Sequence, residues 1–296
     1  MAVTLSLGVP NFGTWVGGDW RSLLDLARAA EDAGADRLVV TDHVVMGGDT
    51  SAYRWGRFPT PPEGPWPEPL TCLTAMAAVT ERVRLATGIL IAGLRPATLL
   101  AKAVATLDQL SGGRVDLGVG VGWQEAEYAA QGLDFSTRGR RLDETVAACR
   151  RLWSRLPASY DGQLVRFADV YCSPQPVQPR LPVWFAGTLT DRHVRRITEL
   201  GDGWIPIMGA SLEDIRAGAQ QLRAAMTRPV DVQAPLPLVR GPDKRVDVRA
   251  SMERVPDLIA AGVTNVYVNV ASLADSPLAA EGAVTAFAHA FHEASP

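Results

Sequence analysis

"VRLATGILIAGLRPATLLAKAVATLDQLSGGRVDLGVG", Val83–Gly120, holds a strand, a helix and a second strand in one run. "VRLATGILI" is rich in branched apolar residues and reads as a strand. "PATLLAKAVATLDQLSGG" has Pro96 near a helix start and closes on Gly112, the usual stop. "RVDLGVG" is the next strand. That order implies parallel strands joined by a right-handed crossover.

The same alternation extends outward in both directions. Upstream lie "VTLSLGV" (3–9), the helical "WRSLLDLARAAEDAG" (20–34), "RLVVT" (37–41) and the helical "LTCLTAMAAVT" (70–80). Downstream, strands "VWFAG", "DGWIPI", "VDVQAPLPLV" and "VTNVYVNV" are interleaved with further helical segments. These are "RGRRLDETVAACRRLWSRL", "DRHVRRITELG", "LEDIRAGAQQLRAAM", "ASMERVPDLIAAG" and "LAAEGAVTAFAHAFHEA". The count is eight strands, each followed by a helix. The expected fold is α/β, a closed (β/α)8 TIM barrel forming one domain over residues 1–296. An open doubly wound sheet is the runner-up. Two irregular stretches, about 42–69 and 157–182, are the expected insertions, the second containing a small hairpin.

Composition narrows the function. The chain has 296 residues, 47% of them apolar, and a net charge of −3, which gives no basic footprint for nucleic acid. No run of eighteen apolar residues occurs, so no membrane span is expected. The start lacks a basic, then apolar leader. Three scattered cysteines without a C-x-x-C pair argue against a zinc site. A cytoplasmic location is expected.

In a barrel, chemistry gathers at the C-terminal ends of the strands. Asp42 and His43 end the second strand, and an imidazole there can relay a proton. Thr87 and Gly88 end the third. Gly118, Gly120 and Gly122 end the fourth with a G-x-G-x-G spacing, followed by Trp123. That is not the G-x-G-x-x-G of dinucleotide sites. These glycines either let a flat ligand approach the backbone or relieve crowding. The fifth strand ends at Ala186, Gly187 and Thr188. Amides of Gly187, Thr188 and Leu189 at a helix start could hold an anion, or Thr188 or Thr190 could simply cap that helix. Trp15, Trp55, Trp66 and Trp123 suit a flat conjugated ligand or plain loop packing. Glu125 and Glu127 could act as acid or base, or answer the helix dipole. An Asp108–Arg114 pair would brace a glycine turn. His193, His289 and His292 are weaker candidates.

Several stretches together resemble the bacterial luciferase-like family of barrel flavin and deazaflavin enzymes. They are "GVPNFG", "AEDAGADRLVVTDHV", "TERVRLATGIL", "ATLDQLSGGRVDLGVGVGW", "SPQPVQPRLPVWFAG" and "ELGDGWIPI", in family order. "GVGVGW" is similar to the branch using the deazaflavin coenzyme F420. The resemblance implies hydride transfer at C5 of that ring, with His43 catalytic and Asp42 beside the ring. It further implies a non-proline cis peptide at Gly88–Ile89 with Thr87 beside it. Gly120, Val121, Gly122 and Trp123 would line the ring, and Ala186, Gly187 and Thr188 would meet the phosphate. The alternative is a monooxygenase fed with reduced FMN. Also implied are a homodimer through helices two and three and a reductase that supplies reduced flavin or F420. "HVVMGG" lacks the Trp of the branch's sugar-phosphate enzymes, and Trp123 stands where they carry Glu. Val44, Val45 and Met46 point instead to a small, rather apolar substrate.

Overall fold

Elements alternate along the computed structural model, which describes residues 3–295. In chain order they are β1 (Thr4–Gly8), α1 (Ser22–Asp32), β2 (Arg37–Val40), α2 (Pro69–Ala77), β3 (Arg84–Thr87) and β4 (Leu90–Ile91). Then come α3 (Ala97–Leu110), β5 (Val115–Gly120), α4 (Glu125–Ala130), α5 (Arg138–Ser154), β6 (Ala158–Asp161) and β7 (Arg166–Val170). The last are β8 (Val183–Ala186), α6 (Asp191–Leu200), β9 (Gly203–Ile205), α7 (Leu212–Ala225), β10 (Asp231–Pro235), α8 (Val248–Met252), α9 (Val255–Ala260), β11 (Asn265–Asn269) and α10 (Pro277–Ala294).

The strands close into a parallel barrel. Its order runs β3-β2-β1-β11-β10-β9-β8-β5-β4, and a β3–β5 pairing seals it. The third stave is one strand in two pieces. β3 pairs with β5 through Leu85↔Val115 and Ala86↔Asp116. β4 resumes through Leu90↔Val119 and Ile91↔Gly120. Between them lies Gly88–Ile89, whose peptide bond is cis, as the family resemblance implied.

Alternate residues of each stave do different work. Leu5, Leu7, Leu38, Leu85, Leu117, Val183 and Val266 belong to the main apolar cluster with Leu23, Leu26, Leu70 and Leu73 of the helices. The opposite set fills the lumen. Arg37 on β2 pairs with Asp116 on β5 at 2.8 Å, passing β3. The same guanidinium lies 4.2 Å from the Trp184 ring on β8. These long-range contacts floor the barrel with charge and aromatics.

Two local features differ from expectation. "ASMERVPDLIAAG" forms two helices, α8 and α9, not one. Pro256 has no N–H to bond back to Met252, so it sits in the first turn of α9. Asp108 and Arg114 do not pair with each other. Asp108 accepts from Val115 N and from Gln178. Arg114 donates to Ser111 O, Val83 O, Ala77 O and Thr80. Each braces the Ser111–Gly113 turn separately. The first insertion stays irregular across most of 42–69, while the second holds the antiparallel β6–β7 hairpin. No helix among the described residues is long and apolar enough to cross a membrane.

Candidate functional site

The glycines of β5 face the broken stave. A Cβ on Gly118 would lie 1.9 Å from Thr87 O, and one on Gly120 would lie 2.9 Å from Ile89 Cδ1. One on Gly122, which has φ +70°, would lie 3.0 Å from Ile91 Cγ2. The G-x-G-x-G spacing therefore matches Thr87, Ile89 and Ile91 of the neighbouring stave. Crowding between two strands is enough to require the three glycines. Thr87 Oγ1 donates to Gly118 O at 2.7 Å, so that hydroxyl is used inside the wall. Gly88 needs its missing Cβ as well, because Val39 Cγ1 would lie 2.4 Å away.

Asp42 holds this kink. Its carboxylate, fully buried, accepts from Ile91 N at 2.8 Å and from both terminal nitrogens of Arg95, at 2.7 and 3.0 Å. Arg95 also bonds Glu68 at 2.9 Å, across the first insertion. Burial works against charging either group. The two carboxylates nonetheless hold Arg95 above its ordinary pKa, and Thr71 together with Arg95 holds Glu68 below its own. Asp42 is a positioning carboxylate with its valences filled.

His43 is 8% exposed and packs edge-on to Trp66 at 4.6 Å, with Phe58 at 5.7 Å and Trp123 at 5.9 Å. Its Nδ1 lies 3.1 Å from Glu127 Oε2. Glu127, buried on α4, also accepts from Val44 N at 2.6 Å. One carboxylate thus fixes the ring and its backbone. Nε2 makes no hydrogen bond to the described residues. Sequence reading gave Glu127 only a generic role. The available signal was a carboxylate beside Tyr128 on the buried side of a one-turn helix.

The insertion roofs this pair. Tyr53 meets Phe58 and Trp123 at 5.1 and 5.4 Å, and Trp55 joins through Tyr53. Gln124 clasps the same loop, accepting from Gly47 N at 2.7 Å. Trp15 goes elsewhere, donating to Ala274 O. Of the four tryptophans, three join the cluster.

Across the rim, Gly187 has φ +144°, and its N–H is taken by Ile205 O at 3.0 Å. The amides of Thr188 and Leu189 have no partner among the described residues, and Thr188 is exposed. Thr190, not Thr188, caps α6. His193 lies directly under Gly187, 3.5 Å from where its Cβ would be. Val121 enters through its carbonyl, which accepts the Tyr128 hydroxyl at 2.7 Å. So Asp42, His43, Thr87–Ile89 and Gly120–Trp123 form one continuous wall. Ala186–Thr188 stand on the next stave, β8, paired to β5. No cluster of three metal-ligating side chains occurs among the described residues.

Fold and site together define a (β/α)8-barrel protein with its polar, chemistry-bearing groups on the C-terminal rim. The profile of the luciferase-like monooxygenase family matches residues 4–267, and the chain belongs to that family. It is similar to an uncharacterized protein of Mycobacterium tuberculosis, 36% identical over 187 residues. That match covers 60% of this chain and 65% of the relative, so the chain spans under two thirds of its length. An FMNH2-dependent dimethylsulfone monooxygenase of Pseudomonas putida is 34% identical over 160 residues, 53% of this chain and 44% of that one. An F420-dependent glucose-6-phosphate dehydrogenase of Amycolatopsis mediterranei is 32% identical over 200 residues, 65% and 55% of the two chains. Among solved structures, a monooxygenase from Streptomyces bottropensis shares the fold, with TM-score 0.79 at 20% identity over 98% of this chain and 99% of that one.

Proposed function

We propose that the chain is an oxidoreductase that holds coenzyme F420 at the barrel rim and acts on a small, rather apolar organic substrate. The observation carrying this reading is His43. A buried imidazole is oriented by Glu127 at Nδ1 and walled by Phe58, Trp66 and Trp123. Its free edge, Nε2, is the atom that would hold or give up a proton beside a planar ring. Bound there, the deazaflavin supplies hydride chemistry at C5.

The residues present fit such a group. Aromatic walls suit a flat ring, and the unpartnered amides of Thr188 and Leu189, in the loop just before the Thr190 cap of α6, suit a phosphate. Asp42, through Arg95 and Ile91 N, would keep the Gly88–Ile89 backbone in place behind the ring. The roof of Tyr53, Phe58 and Trp66 would exclude water. It offers an apolar substrate more contact than a charged one.

FMN is the second reading, supported by the Pseudomonas putida relative, which is named for FMNH2. In that case a reductase would supply the reduced flavin. Fluorescence quenching with each cofactor separates the readings. F420 binding at least tenfold tighter than FMN supports the first. The reverse order overturns it in favour of the second, and no binding of either overturns both.

A further inference from the structure

A cavity lies outside the lumen, behind Arg95. It measures about 350 Å³ and sits between the start of α3, the N-terminal half of α5 and the tip of the β6–β7 hairpin. That volume suits a small ligand. Its lining contains three guanidinium groups, Arg95, Arg141 and Arg166, and no carboxylate. Arg95 is engaged by Asp42 and Glu68, and the exposed Arg166 pairs with Asp161 at 2.5 Å. Arg141 has no ion-pair partner among the described residues, and its Nε is buried without a hydrogen bond. Burying an unpaired guanidinium nitrogen costs free energy unless something satisfies it.

A second feature points the same way. α3 runs for fourteen residues and opens on Pro96, with no side-chain cap and no acidic residue in its first turn. Ala97 and Thr98 of that turn line the cavity. A helix start left uncapped beside an unpaired arginine is an anion cradle. Leu94, Leu133, Leu164 and Phe167 give the remaining walls an apolar side, with Gln131 and Thr145 beside them.

We propose that this cavity binds a small organic oxyanion, a carboxylate or phosphate carried on an apolar body. Arg141 and the α3 amides take the charge, and Leu133 and Phe167 take the body. Arg166 closes the outer side. Arg95 lines the cavity and also holds Asp42, so the ligand would rest one side chain from the rim site. The inference does not depend on which cofactor the rim holds.

Titration calorimetry of the full chain with phenyl phosphate, inorganic phosphate and benzyl alcohol tests it. Phenyl phosphate should bind saturably and tightest, inorganic phosphate more weakly, and benzyl alcohol not at all. Arg141→Gln should weaken phenyl phosphate at least tenfold, and Arg166→Gln a few-fold. Arg166 is exposed, so its variant reports even if Arg141→Gln misfolds. Unchanged affinity in both variants would overturn the proposal. So would FMN or F420 displacing phenyl phosphate competitively, because the pocket would then belong to the cofactor. A failure of the rim reading leaves these results untouched.

Discussion

At the scale of single residues, two carboxylates do different jobs. Glu127 orients His43 through one oxygen and holds Val44 N through the other, so Glu127→Gln removes the charge and one of these two acceptors while leaving the cage intact. Turnover with reduced or oxidised cofactor should fall about tenfold or more, and His43→Ala about a hundredfold. Cofactor affinity should stay within a few-fold in both. Comparable loss of binding and turnover would reduce the pair to scaffolding. Asp42 is structural in a stricter sense. Asp42→Asn weakens the buried pair with Arg95, which keeps Glu68 as a partner. A cost of about 2–3 kcal/mol is expected in urea unfolding. His43 and Asp42 were legible because they end a strand. Glu127 was legible only as a possible acid or base, and its pairing with His43 was not, since 84 residues separate the two. Arg95 escaped for the same reason.

At the scale of elements, the third stave and β5 specify each other. Gly118→Ala would drive a methyl against the Thr87 carbonyl, which belongs to the backbone and cannot rotate aside. The expected loss is about 3 kcal/mol or more, read as a lowered urea midpoint. Gly48→Ala, which meets nothing within 4 Å, is the control and should cost little. The insertion between β2 and α2 depends on a different device. Gln124, 3% exposed, is the side chain that ties Gly47 down. Gln124→Ala should speed tryptic cutting after Arg54 or Arg57 several-fold, with the barrel strands still protected. Equal cutting rates would mean that the aromatic cluster alone secures the loop. The sequence showed where these elements lie, because glycine and proline punctuate each one. It did not show why the glycines alternate. That depends on a neighbouring strand whose register is not local.

At the scale of the whole molecule, strict strand–helix alternation was enough to imply closure, and the β3–β5 pairing supplies it. The charged floor of the lumen was not legible, because Arg37, Asp116 and Trp184 meet only once the barrel has closed. His193 likewise reads in sequence as one more polar residue of a charged helix. In the fold it is 5% exposed, and its Nδ1 lies 3.0 Å from Arg196. Burial first, then the Arg196 charge, pushes its pKa down to about 4, with Asp143 opposing. Between pH 6.5 and that value the unfolded chain binds a proton at this site and the folded chain does not. Stability therefore rises with pH across this window and is lost as pH falls through it. The whole step is worth about 3 kcal/mol. Carboxylates such as Asp202, held low mainly by Arg150 against the cost of burial, also lose stability in acid. Subtraction isolates the histidine. Urea unfolding of the natural chain and of His193→Gln at pH 7 and pH 4.5 should show the variant losing about 2 kcal/mol less on acidification. Equal losses in the two proteins would mean that the imidazole is already charged in the fold and stabilised by Asp143.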